Sequence, residues 1–114
     1  MQEAGFPNLR VKFGWRALGV RTDELDGRRT RTVFYAKDGR RIAYTIVAGD
    51  ALDRPGDAQP TVSGGVELRT LRAQGRTVVT WRRVGHTCVL SGPGVDAATL
   101  RELAAWKGMG AVRF

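Results

Sequence analysis

The chain is short of most of what reactive chemistry is built from. It holds one cysteine, Cys88, and one histidine, His86, in 114 residues. A lone cysteine forms no internal disulfide, so cysteine usage reveals no redox compartment. Two soft ligands fall short of the four that a structural zinc site takes. Long apolar runs are missing as well: none approaches the ~20 residues that span a bilayer, and residues 1–14 have no apolar stretch of the signal-peptide kind. Lysine is scarce, with Lys12, Lys37 and Lys107 the only three among 19 basic residues.

The basicity is therefore almost all arginine, and it gives a net charge of +8. Such a balance suits nucleic acid or an anionic surface as partner. The arginines are spread along the chain and not clustered, however, which fits solvated strand faces better than a binding patch. The hydrophobic fraction of 42% and the charged fraction of 26% describe one globular domain with one core, not a disordered chain.

Punctuation divides the sequence into a lead-in over residues 1–13, a single domain over 14–108 and a tail over 109–114. The lead-in carries Gly5, Pro7 and Asn8 and no periodicity. Within the domain, residues 50–64 (DALDRPGDAQPTVSG) are rich in Asp, Pro and Gly and separate two β segments.

In the first segment Asp38-Gly39 sits between TRTVFYAK and RRIAYTIV. A two-residue Asp-Gly loop predicts a type I′ hairpin. Its register sets Tyr35 against Ile42 and Val33 against Tyr44, with Ile46 on the same face and Phe34, Ala43 and Val47 on the other. Asp26-Gly27 predicts a further turn, back to a strand around Gly14–Thr22. The second segment reads as a three-stranded meander, GVELRTLR, RTVVTWRR and HTCVLSG, broken at Gln74-Gly75 and Val84-Gly85. Two-residue turns at both breaks bring Leu68, Val79, Trp81, Cys88 and Leu90 onto one face, which a slip of one residue would scatter. The opposite face then sets Glu67 across from Arg82, a favourable charge pair. After Gly92-Pro93-Gly94 the period changes to that of a helix, capped by Asp96 and closed by Gly108, with Ala97, Leu100, Leu103 and Ala104 on its apolar side and Arg101 and Glu102 pointing away. Trp106 falls at the rim of that stripe. A helix this short needs a surface to dock on. The expected fold is α+β: an antiparallel sheet of about five to six strands packed by one C-terminal helix.

None of the reactive side chains assembles into a recognisable site. His86 and Cys88 form a His-x-Cys pair, but no further ligand exists for a metal, and neither an orienting group nor an oxyanion donor is apparent for a nucleophile. Cys88 reads as a small core hydrophobe, and His86, beside a turn, as a surface or strand-capping residue. Asp23, Glu24 and Asp26, and Asp50, Asp53 and Asp57, lack the calcium-loop pattern and fit turn chemistry. Gly92-Pro93-Gly94 lacks the lysine and the parallel context of a phosphate loop. Phe34, Tyr35, Tyr44 and Trp81 interleave with arginines as a single-strand RNA platform does, yet Tyr35, Tyr44 and Trp81 share faces with aliphatics, which is a core pattern. No catalytic, cofactor or metal residue is therefore assigned.

Three phrases carry a resemblance: GWRALGVRTDELDGRRTRTVFYAKDGRRIAYTIVAG (14–49), GRTVVTWRRVGHTCVLSG (75–92) and DAATLRELAAW (96–106). Together, around Trp15, Tyr35, Tyr44 and Trp81, they resemble the C-terminal extracytoplasmic domain of transmembrane anti-sigma factors and related transcription regulators of actinobacteria. The resemblance implies a non-catalytic sensing or interaction domain at the outer face of the cell membrane. It also implies a cytoplasmic anti-sigma module that binds a sigma factor, and a membrane helix, both expected upstream of Met1. Protein partners or a protease would act through that full-length regulator. The resemblance supplies no functional residues. A small basic nucleic-acid-binding module is the competing expectation, on charge alone.

Overall fold

Tight two-residue turns lay down most of the molecule. The computed structural model describes residues 9–25, 27–48, 59–63, 65–73, 75–83 and 86–106. A single helical turn, α1 (Arg10–Phe13), ends at Gly14, whose φ of 79° lets its N–H reach back to the Arg10 carbonyl at 2.8 Å. Strands β1 (Arg16–Leu25), β2 (Arg28–Lys37) and β3 (Arg40–Val47) follow as a meander. At the β2–β3 turn Asp38 and Gly39 both have positive φ, 51° and 76°, as a type I′ turn requires. Strands β4 (Gln59–Ser63), β5 (Val66–Ala73), β6 (Arg76–Arg83) and β7 (His86–Ser91) form a second meander, and α2 (Ala97–Ala105) closes the described chain.

All seven strands belong to one antiparallel sheet in the order β1-β2-β3-β7-β6-β5-β4. Each meander is hydrogen-bonded within itself, and β3–β7 pairing joins them. The fold is thus the expected α+β sheet and helix, with seven strands where five to six are expected. The additional strand, β4, lies in the segment read as a loop. Its register sets Thr61 against Leu68. Strand β1 begins at Arg16 and runs to Leu25, so Asp23 and Glu24 are strand residues and not turn residues; a bulge at Leu18 shifts its register on β2.

The pairings Tyr35–Ile42, Val33–Tyr44, Trp81–Cys88 and Val79–Leu90 all occur as expected. They place Val33, Tyr35, Ile42, Tyr44, Leu68, Val79, Trp81, Cys88 and Leu90 on one face, where all are buried in a single cluster. The Tyr44 and Trp81 rings meet edge-to-face at 5.2 Å. Helix α2 packs over β4–β7, chiefly on β6 and β5, through Leu100, Leu103 and Ala104, while Ala97 is half-buried. Leu9, Trp15 and Val95 complete the same core. Leu9, in the lead-in segment, is fully buried.

Asp96 caps α2 as expected. Its carboxylate accepts the Thr99 N–H at 2.8 Å, and hydrogen bonds from the Thr99 side chain and backbone hold its pKa below the ordinary 3.8. The helix stops at Ala105, before the predicted end: Trp106 is extended, and its N–H reaches the Leu103 carbonyl at 3.2 Å. Trp106 turns out to meet Phe13 edge-to-face at 5.4 Å, which ties the short α1 to the helix. The expected cap at Gly108, the Val84-Gly85 turn, Asp26, the acids of 50–57 and the tail lie outside the described residues.

Candidate interaction surface

Alternation in a strand puts every second residue on the face away from the core. Following the pairing across the sheet, the central row of that outer face reads Arg21, Thr32, Thr45, Val89, Thr80, Arg69 and Pro60. The neighbouring rows contribute Thr30, Val47 and Thr87 on one side and Phe34, Ala43, Ser91, Val78 and Leu71 on the other. The middle of the face is thus a field of hydroxyl and small apolar side chains, of which Thr30, Thr32 and Val47 are buried and Thr45, Thr80, Thr87, Val89 and Ser91 half-buried. Thr32 and Thr45 share a hydroxyl hydrogen bond at 2.8 Å.

Charge lies on the strands flanking this middle: Arg21 on β1, Arg82 beside Thr87 on β6 and Arg69 on β5. On β1 the Arg21 guanidinium binds Asp23 at 2.7 Å and lies over the Phe34 ring, 5.5 Å from its centroid. On β5 Arg69 binds Glu67 at 2.8 Å, so Glu67 has a same-strand ion pair besides its expected position across from Arg82. Both pairs are at least partly solvated, and exposed pairs of this kind contribute only ~0–1 kcal/mol. The Arg69 Nε and the Thr70 hydroxyl are buried without a hydrogen-bond partner.

The two side chains weighed for chemistry lie on the other, covered face. Cys88 is fully buried in the core. His86 is buried too, at 8% exposure, and is not the surface residue expected from its place beside a turn. It shares the inner alternation of Cys88 and Leu90, so its ring faces the core side of β7. Burial overrides the turn position because β7 is a central strand, flanked by β3 and β6. Of the aromatics considered for base stacking, Tyr35, Tyr44 and Trp81 are core residues, and Phe34 alone belongs to the outer face. Among the described residues no group of three or more His, Cys, Asp or Glu side chains is placed to hold a metal ion, and no helix is long and apolar enough to cross a membrane. The surface offers hydroxyl hydrogen bonds, small apolar contacts and peripheral guanidinium groups. No family model, no curated protein and no solved structure matches this chain.

Proposed function

We propose that the chain is the non-catalytic sensing or interaction domain of a membrane-anchored, anti-sigma-factor-like transcription regulator, held at the extracytoplasmic face of the membrane. The observation that carries this reading is the division of labour in the sheet: one face is consumed by the core, and the other carries a Thr/Val/Ser field, half-buried on β7 and β6 and buried at Thr30, Thr32 and Val47, with Arg21, Arg69 and Arg82 around it. A domain with this distribution works by being bound. In a tethered regulator, occupancy of the outer face would hide or expose a partner surface, or set the access of a protease to the anti-sigma part. What further supports it is the sequence resemblance, whose anchor residues Trp15, Tyr35, Tyr44 and Trp81 are all core residues here.

The charge of +8 favours a second reading, a nucleic-acid-binding module. Two observations weigh against it: of the aromatics that would stack bases, Tyr35, Tyr44 and Trp81 are buried, and Arg21 and Arg69 are already engaged by acids. The test of the main reading uses the product of the native gene in intact cells. Externally added protease should remove the domain of residues 14–108 without lysis; cleavage only after lysis would contradict an outer location. Titration with mixed oligonucleotides at low salt separates the alternative, since phosphate-driven binding weakens steeply as salt rises.

A further inference from the structure

The three large hydrophobic side chains that stand exposed among the described residues, Leu18, Val20 and Val62, all lie on the two edge strands. The edges are not equivalent. Strand β4 is five residues long and carries Pro60, two features that blunt an edge against further pairing. Strand β1 is ten residues long, without proline. Its bulge is confined to Ala17–Gly19, which leaves Gly19–Leu25 in regular register on β2.

The hydrogen-bonding direction of that regular stretch follows from its turn. Leu25 and Arg28 flank a two-residue hairpin loop, the position at which a tight hairpin exchanges both backbone bonds. Counting back in twos, Asp23 and Arg21 direct their N–H and C=O groups to β2. Glu24, Thr22 and Val20 direct theirs to the side on which no described strand pairs with β1. The side-chain order is self-complementary about Thr22: Arg21 precedes it and Asp23 follows it, on the outer face, already in contact at 2.7 Å.

We propose that β1 is the pairing edge for a second copy of this chain, antiparallel about a two-fold axis through Thr22. In this register Thr22 faces Thr22 of the second copy, and Val20 faces Glu24 of the second copy, each as a hydrogen-bonded pair on the sheet face opposite that of Arg21 and Asp23. Together they form about six backbone hydrogen bonds. Arg21 faces Asp23 of the second copy in the closer, non-hydrogen-bonded positions, so the two same-strand ion pairs merge into one four-charge cluster on the outer face. The seven-stranded sheet becomes continuous across the axis, and Val20, at 42% exposure, gains cover. The inference does not depend on the membrane-regulator reading.

Sedimentation equilibrium of the full chain from micromolar to millimolar concentration tests it. The wild type should pass from the single-chain mass of 12.5 kDa to twice that mass. Asp23→Arg should raise the dimer dissociation constant by about tenfold or more, because it sets like charges directly opposite. The double swap Arg21→Asp/Asp23→Arg should restore dimerisation, a rescue that a folding defect would not give. Thr22→Pro removes an amide that β1 does not use within its own sheet, so it should abolish the dimer while leaving the circular-dichroism spectrum unchanged. A wild type that keeps the single-chain mass up to millimolar concentration would overturn the proposal. So would a dimer indifferent to Asp23→Arg or one that the double swap fails to rescue.

Discussion

Replacing Trp81 by alanine probes the join between the sheet register and the core. Trp81 is 5% exposed, faces Cys88 across the β6–β7 ladder, and packs edge-to-face on Tyr44 with ring planes at 89°. A buried aromatic of this kind hides roughly 150–250 Å², which at about 25 cal/mol/Å² sets an upper bound of about 4–6 kcal/mol. The edge-to-face pair contributes about 0.5–1.5 kcal/mol beyond the area. Partial collapse of the site offsets some of this, and the expected loss is about 3–5 kcal/mol. Against a total stability of about 5–15 kcal/mol, that is a large fraction. With a urea slope of about 1.5 kcal/mol/M, the midpoint falls by about 2–3 M. Trp81→Phe keeps a ring against Tyr44 and should lose much less. Urea unfolding followed by far-ultraviolet circular dichroism reads both variants. An unchanged midpoint for Trp81→Ala would place Trp81 in solvent and refute the register of the second meander.

Gly92→Ala should cost about 1–3 kcal/mol by overpacking, because an added Cβ would lie 2.8 Å from the Ile42 side chain and 2.9 Å from the Arg41 carbonyl; a denaturation midpoint equal to wild type would refute that close approach. Leu103→Asp buries an unpaired charge under α2 and should unfold the domain, whereas Arg101→Ala should change stability by less than about 0.5 kcal/mol; equal melting temperatures for the two would mean that α2 is not docked. The Asp96 cap predicts a specific pH dependence. Its folded pKa lies below the ordinary 3.8, so its stabilisation is fully present above that value and is lost as pH falls through the folded value. The difference in melting temperature between wild type and Asp96→Ala should therefore be large at neutral pH and shrink in strong acid; a constant difference would contradict the cap.

The parts of this fold legible in the sequence are those where two independent local signals agree. Asp38-Gly39 names a turn, and the alternation of Val33 and Tyr35 with Ile42 and Tyr44 names the same register. Asp96 likewise agrees with the Leu100–Leu103–Ala104 stripe. Strand β4 is not legible because it has no hydrophobic alternation to show: the inner position opposite Leu68 is Thr61, and Val62 stands 71% exposed. Leu9 escaped because one buried residue has no period. The burial of His86 is not legible because the sequence shows its turn but not that β3 comes to lie against β7, a pairing between residues about 45 positions apart that no local pattern encodes. The outer face is half visible, since the hairpin alternation sets Phe34, Ala43 and Val47 on the side away from the helix, although Val47 is itself buried there. Its continuation into Val89, Thr80 and Arg69 required the same long-range pairing.

The most direct test of the proposed function is a charge placed in the middle of the outer face, in the full-length regulator that the proposal requires. Val89→Arg lies between Thr45 and Thr80, on the face away from the core, and should shift the melting temperature of the domain by less than about 5 °C. Sigma-factor-dependent transcription, measured with a reporter in cells carrying this variant, should lose its response to the signal. An unaltered response with an intact fold would contradict the claim that this face is where the domain is bound.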